Sequence, residues 1–221
     1  MRPAARLLAV ALVLPLALLA REAGAQAPPP LTREQALAEI GAADAKARRH
    51  AADWLGEVGA MSDAPVLARA LRDRDEGVRT MAEASLWQLW SRSGDAQIDA
   101  QLQLGIEQMG RRDAQGAIAT FTRIIERKPE FAEGWNKRAT TYFLVGEYDK
   151  SLRDCDEVMR RNPLHFGALA GYGQIYLRLS QPEKALEYFE KALAVNPNMD
   201  GVAAMAQELR EQIAKRRRDT T

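Results

Sequence analysis

Apolar residues recur through most of the chain at the three- and four-residue spacing that is typical of amphipathic helices. Between positions 166 and 199 this spacing marks two successive helices. Their apolar positions are Leu169, Tyr172 and Tyr176 in the first helix and Ala185, Phe189 and Ala192 in the second. Pro182 suits the first turn of the second helix, where its missing N–H costs no hydrogen bond, and Pro197 stops that helix. The pattern predicts a helical hairpin whose ends are both defined by the sequence.

The same hairpin pattern occurs three times at a constant 34-residue period, and each copy ends at a proline. These prolines are Pro129, Pro163 and Pro197. The three units lie at about 98–131, 132–165 and 166–199, within a repeat region that spans 96–199. A fixed period of this length indicates stacked hairpins, because one hairpin cannot bury its apolar face alone. We therefore expect an elongated all-α solenoid with an open concave side.

Each unit carries an ordered series of aromatic, small and proline residues. The middle unit has Trp135, Arg138, Ala139, Tyr142, Ser151, Cys155 and Val158, and the first has Gln101, Leu104, Gly105, Gln108, Ala117, Phe121 and Ile124. The series closely resembles the tetratricopeptide repeat, whose motif runs from a Trp or Leu, through a Leu-Gly pair, to a final Ala and Pro. The resemblance implies a right-handed α-α superhelical solenoid. Gln101 and Gln108 stand where the family usually has large residues, so the first unit is expected to depend on its neighbours for stability.

Small residues in each unit are predicted to let its two helices approach closely. We expect Gly105, Ala139 and Gly173 to face Ala117, Ser151 and Ala185, respectively. Larger side chains at these positions would overpack the hairpins. Beyond the last proline, apolar residues again recur at helical spacing, which predicts a capping helix over 200–216 and a basic polar tail over 217–221.

A second, 31-residue period precedes these repeats. Asp44, Ala47, Arg48, Ala51, Leu55 and Val58 match Asp75, Val78, Arg79, Ala82, Leu86 and Leu89. The two copies resemble the HEAT-like repeat, which implies HEAT-like helical repeats over 32–92. In the second copy, Trp87 and Trp90 replace the glycines of the motif. Because the tether after them is too short to separate independent domains, we expect these indoles to pack against the first tetratricopeptide hairpin. The alternative is that both are ordinary core residues.

The segment 1–25 has the composition of a secretory signal peptide. Arg2 and Arg6 precede an apolar run that is too short to span a bilayer, and small residues end at Ala25, the expected cleavage site. A Pro-rich extended segment follows over 26–31. We expect export to the periplasm, or secretion, with no integral membrane span after cleavage. An uncleaved anchor is the alternative.

The charge balance gives no reason to expect nucleic acid as a partner. Removal of the predicted leader takes away three arginines and one glutamate, so 28 basic and 29 acidic residues remain and the net charge changes from +1 to −1. A chain with this balance has no bulk field that would attract a polyanion.

The residue inventory contains no constellation for catalysis, a cofactor or a metal. The two histidines, His50 and His165, are expected at the surface, away from any set of ligands. Cys155 is the single cysteine and occupies a position where the family has a packed aromatic residue. It is interpreted as a small buried hydrophobic residue, with pairing to another molecule left open if it is exposed. We predict a protein that is not an enzyme.

The resemblance places a partner-binding groove on the first helix of each hairpin. Its inward positions here are Leu102, Ile106, Met109, Asn136, Lys137, Thr140, Phe143, Ala170, Gln174 and Leu177. This mixed surface suits an extended peptide or a partner helix, because apolar anchors give affinity while amides bond the partner's backbone. The alternative is that Leu102, Ile106 and Leu177 merely pack between repeats.

Some members of the family grip the C-terminal carboxylate of chaperones with Lys, Asn and Arg side chains. In this chain Leu102 and Ile106 stand in place of a Lys and an Asn, and Gly167 and Gly171 stand in place of basic residues. The sequence therefore disfavours a chaperone clamp. We expect a non-catalytic, exported protein–protein interaction scaffold whose partner the sequence does not name. The alternatives are homo-oligomerisation through the first repeat or Cys155, and an accessory enzyme.

Overall fold

The computed structural model describes residues 30–219, and within that range the chain is all-helical, with eleven α-helices and no strand. The predicted signal peptide and residues 26–29 of the Pro-rich segment lie outside the described residues, as do residues 220–221. The helices are α1 (Arg33–Glu39), α2 (Ala45–Val58), α3 (Ala64–Ala70), α4 (Glu76–Ser91), α5 (Ala96–Gly110), α6 (Ala114–Arg127), α7 (Ala132–Leu144), α8 (Tyr148–Arg161), α9 (Phe166–Arg178), α10 (Pro182–Val195) and α11 (Asp200–Asp219). The expected all-α solenoid class is confirmed.

The 34-residue period of the sequence is visible in the backbone. Helices α7, α9 and α11 begin at this interval, and α5 to α10 pair as three antiparallel hairpins followed by α11. Arg112, Gly146 and Ser180 lie in the turns within these hairpins, repeat at the same interval, and have φ angles of 62°, 81° and 57°. A left-handed residue at this point turns the chain back between two helices. Only the middle turn uses glycine, so the other two hold an L side chain in an unfavourable conformation.

The two helices of each hairpin approach closely at the predicted small residues. Ser151 donates its hydroxyl to the Ala139 carbonyl oxygen at 2.7 Å, as the predicted facing of these two residues requires. A Cβ added to Gly105 or Gly173 would instead meet a phenylalanine ring of the second helix, Phe121 or Phe189. The two glycines therefore make room for buried aromatic rings, and Ala117 and Ala185 lie completely buried in the same cores as those rings.

Two shorter hairpins, α1–α2 and α3–α4, precede the repeats and form the N-terminal unit. The helices of the second hairpin begin one 31-residue period after those of the first, which matches the second period of the sequence. Thr32 forms a capping box with Gln35 at the start of α1. Arg48 is 5 % exposed and makes a bidentate ion pair with Asp73 at 2.7 and 2.8 Å, which ties α2 to the loop before α4.

The N-terminal unit packs beside the repeats rather than onto the first hairpin. Trp87 and Trp90 form a junction, as expected, but their ring contacts are with His165 and Phe166 at the start of α9. Farther along, Asn198 donates to the Leu71 carbonyl oxygen at 2.8 Å. The predicted contact with the first hairpin is therefore corrected, because the unit lies along the loops that precede α9 and α11.

Candidate functional site

A cavity of about 270 Å³ lies between α7 and α9, and we call it the α7–α9 cavity. It is lined by Asn136, Ala139, Thr140, Phe143, Ser151, Cys155, Gly167, Ala168, Ala170, Gly171, Gln174 and Ile175. Five of these are predicted groove residues, namely Asn136, Thr140, Phe143, Ala170 and Gln174. Their spacing on two neighbouring helices brings them to one place, because side chains three or four positions apart share a helical face.

Each of the two amides of the cavity makes one hydrogen bond through its nitrogen. Asn136 donates Nδ2 to Glu133 Oε2 at 3.1 Å, and a flipped amide would instead set two oxygens against each other. Gln174 donates Nε2 to the Met205 sulfur at 3.2 Å. Among the described residues, neither amide oxygen has a hydrogen-bond partner, so both remain free to accept an N–H group from an added molecule.

The other predicted groove residues do not line this cavity. Leu102 is fully buried in the core of the first hairpin with Phe121, so it leaves no surface for a partner. Met109 lines a separate hollow of about 290 Å³ beside Leu144 and Val145. Leu177 packs against the apolar core between α9, α10 and α11, as the alternative interpretation of that residue expected. Ile106 stays partly exposed on α5, with 36 % of its surface accessible.

Lys137, the remaining predicted groove residue, belongs to a buried polar cluster that the sequence did not reveal. Its Nζ lies 3.0 Å from Glu133 Oε1 and 6.0 Å from the centroid of the Trp87 ring. On the other side of the carboxylate, His165 Nε2 lies 3.0 Å from Glu133 Oε2. Glu133 and His165 are both completely buried. The cluster therefore joins α7 to the start of α9 beneath the indoles of the N-terminal unit.

The surface position expected for His165 is wrong. Its Nδ1 accepts the Ala168 backbone N–H at 3.1 Å, so the imidazole caps α9 and its Nε2 carries the proton that is donated to Glu133. Burial by itself raises the pKa of Glu133, but the His165 hydrogen bond and the nearby Lys137 charge outweigh it and hold that pKa below its usual value. The sequence offered one signal for this capping role, namely the position of His165 just before the start of α9.

Cys155 is a packed residue, as the sequence predicted. It is 3 % exposed and lies in the core between α7, α8 and α9. Burial, aided by the neighbouring Asp154 and Asp156, raises its pKa to about 12. A thiol with this pKa is a poor nucleophile, and at this low exposure a disulfide-linked dimer would require the hairpin to open.

Within residues 30–219, no group of three or more His, Cys, Asp or Glu side chains is arranged to hold a metal ion. In the same range, no helix combines the length and the apolar content that a membrane span requires. His50 lies on α2, half-buried, with its ring centroid 6.2 Å from that of Trp54.

Comparisons with known proteins identify the repeats. A tetratricopeptide repeat family profile matches residues 130–198. A TPR repeat-containing protein from Rhizobium etli is 30 % identical over 146 residues, covering 66 % of this chain and 72 % of that protein. Anaphase-promoting complex subunit 3 from Schizosaccharomyces pombe is 27 % identical over 88 residues, covering 40 % of this chain but only 13 % of that protein.

Among solved structures, the first TPR of Spaghetti (RPAP3) bound to an HSP90 peptide aligns with a TM-score of 0.52 at 20 % identity. The alignment covers 54 % of this chain and 96 % of that one. At this identity the likeness concerns the fold. The Rhizobium etli protein is similar to this chain over most of its own length. This similarity, together with the shared fold, shows that the chain belongs to the tetratricopeptide repeat family.

Proposed function

We propose that this protein is a non-catalytic interaction scaffold that binds an extended peptide or partner helix along α7 and α9. One observation carries the proposal: the α7–α9 cavity, where predicted groove residues meet around two free amide oxygens. A backbone N–H group of a bound segment would satisfy each oxygen, and the apolar walls would bury one of its side chains. Peptide binding by a structural neighbour, which is bound to an HSP90 peptide, supports this use of the fold.

The groove can be tested by selecting phage-displayed random dodecapeptides on the full chain and measuring the binding of an enriched peptide by fluorescence anisotropy. The double variant Asn136→Ala and Gln174→Ala is expected to weaken binding by about tenfold or more, because it removes both amide acceptors. The matched control is Gln103→Ala with Gln115→Ala, which removes two exposed amides outside the cavity and is expected to bind as the wild type does.

Because Asn136 also bonds the buried Glu133, Gln174→Ala alone separates lost binding from lost stability. That single variant is expected to melt close to the wild type and still bind more weakly. Unchanged binding by both cavity variants, or no peptide enriched above the bare support, would contradict the proposal.

Self-association is a second candidate function, and an exposed apolar surface near the first hairpin favours it. Leu144 and Val145, at the end of α7, have 64 % and 47 % of their surfaces accessible and line a hollow together with Met109 of α5. Exposed apolar side chains of this size often mark protein contacts when they cluster. Analytical ultracentrifugation of the wild type and of Leu144→Ser with Val145→Ser distinguishes the two functions. A dimer that dissociates in the variant while peptide binding persists would favour self-association as an additional role.

We further propose that the chain is exported and cleaved near Ala25, and that the N-terminal unit consists of HEAT-like repeats. The basic residues, short apolar run and small cleavage-site residues support export. The matching 31-residue periods of sequence and helices support the repeats. Mass spectrometry of protein from the periplasmic fraction tests export. Cleavage after Ala25 predicts a mature chain that begins at Gln26. Full-length protein confined to the cytoplasm would contradict it.

A further inference from the structure

The α7–α9 cavity exists because α9 carries glycine where other side chains would fill the space. A Cβ added to Gly171 would have one heavy atom within 4 Å, the Cys155 sulfur at 4.0 Å. A Cβ added to Gly167 would instead meet the Trp87 ring of the N-terminal unit. Gly167 is therefore required by the junction, whereas the space above Gly171 is open and belongs to the cavity.

The lining of the cavity carries no formal charge. None of its twelve residues is Asp, Glu, Lys, Arg or His, and most of the wall is apolar or glycine. Two cations lie outside this lining: Lys137 is paired with Glu133, and the Arg178 guanidinium lies 5.9 Å from the centroid of the Phe143 ring in the cavity wall. An anionic group placed inside the cavity would lose its hydration without a charged partner among the lining residues, which is costly.

The two amides of the cavity can bond both kinds of polar group on a peptide backbone. The Asn136 and Gln174 oxygens are acceptors, and each amide nitrogen keeps a second N–H besides the one bonded to Glu133 or Met205. The Thr140 hydroxyl donates to the Asn136 carbonyl oxygen at 2.9 Å. An internal peptide segment offers both N–H and C=O groups, so its backbone can pair with the oxygens and with the remaining N–H groups of these amides.

Taking the proposed peptide-binding function as its basis, we infer that the α7–α9 cavity receives one uncharged apolar side chain of an internal peptide segment, and that Gly171 keeps this pocket open. The neighbouring backbone N–H groups of that segment bond the Asn136 and Gln174 oxygens. Because the lining carries no charge, a terminal carboxylate gains no advantage there over an internal segment.

The test uses the dodecapeptide most enriched on the full chain, synthesised both as a C-terminal amide and as a free acid. The amide is expected to bind at least as tightly as the acid. Gly171→Ala is expected to weaken binding by about tenfold, because its methyl group occupies the pocket. Gly110→Ala makes the same chemical change in open space on α5 and is expected to bind as the wild type does.

Folding does not confound the comparison, because alanine is the better helix former inside α9. Gly171→Ala is expected to raise the melting temperature while it lowers affinity. Replacing each apolar peptide residue in turn by serine should identify one position whose loss weakens binding to the wild type and has a smaller effect on Gly171→Ala.

Two results would overturn the inference. One is a free acid that binds tenfold tighter than the amide, and the other is a Gly171→Ala variant that binds as the wild type does. If Asn136→Ala with Gln174→Ala abolishes binding while Gly171→Ala retains it, the peptide-binding function stands and only the side-chain pocket is refuted. If all of these variants bind equally, both proposals are refuted.

Discussion

His165→Ala is predicted to destabilise the protein strongly, although the sequence suggested an ordinary surface histidine. The buried imidazole caps α9 through its Nδ1, donates to Glu133 through its Nε2, and stacks on Trp90 with ring centroids 4.5 Å apart. An alanine at this position would remove all three contacts at once. It would also leave the buried Glu133 carboxylate without its imidazole donor.

The expected magnitude follows from these three contacts. Loss of an N-cap costs about 1 kcal/mol, and loss of a hydrogen bond to a buried charged group costs about 2 kcal/mol. The stacked aromatic contact adds about 1 kcal/mol. We therefore expect the free energy of unfolding to fall by about 4 kcal/mol, a large part of the total stability of a typical domain.

Urea unfolding followed by tryptophan fluorescence measures this loss, because Trp87 and Trp90 both contact the imidazole. His165→Asn separates the helix cap from the stacking contact, since asparagine can cap α9 but lacks the ring that stacks on Trp90. This variant should be about 1 kcal/mol more stable than His165→Ala. His50→Ala is the matched control and should change stability by less than about 0.5 kcal/mol. A loss below about 1 kcal/mol for His165→Ala would refute the buried cluster.

Three further predictions concern turns, packing and pH. Ser180→Gly should stabilise the third hairpin by about 1 kcal/mol, because glycine adopts the observed φ of 57° without strain. Gly146→Ala should destabilise the second hairpin for the same reason. Melting temperatures equal to that of the wild type for both variants would contradict this prediction. Ala185→Leu should lower the free energy of unfolding by about 1 to 3 kcal/mol, because the completely buried site has no room for a larger side chain. Urea unfolding measures this loss, and an unchanged urea midpoint would argue against that packing. The Arg48 hydrogen bond holds the pKa of Asp73 below its usual value. The pair therefore stabilises the fold at pH values above the unfolded pKa of about 3.9. This stabilisation is lost as the pH falls through the lower pKa of the folded state. Arg48→Gln should therefore flatten the dependence of stability on pH below about pH 4, and parallel profiles for variant and wild type would contradict the assignment.

The α7–α9 cavity was partly accessible to sequence reasoning. Helical spacing and the family resemblance were enough to select Asn136, Thr140 and Gln174 as neighbours on two inward faces. The same reasoning selected Leu102, which the structure buries completely. Helical periodicity indicates which face of a helix points inward, but the packing of neighbouring elements decides whether a residue on that face reaches solvent or the core.

The sequence by itself determined the local structure of this protein. Prolines at a 34-residue period, helical apolar spacing and N-cap residues specify where each hairpin begins and ends, because they act through backbone sterics and hydrogen bonds within a few residues. The starts of α6 to α11 and the left-handed turns follow the same period.

Only the tertiary structure decided how the two sets of hairpins meet. The junction joins Trp90 to His165, and the Asn198 bond to Leu71 connects residues 127 positions apart. Such contacts leave no periodic trace in the chain, since they depend on the shapes of two assembled surfaces rather than on neighbouring residues. For the same reason a histidine that looked exposed in the sequence lies fully buried between an indole and a carboxylate.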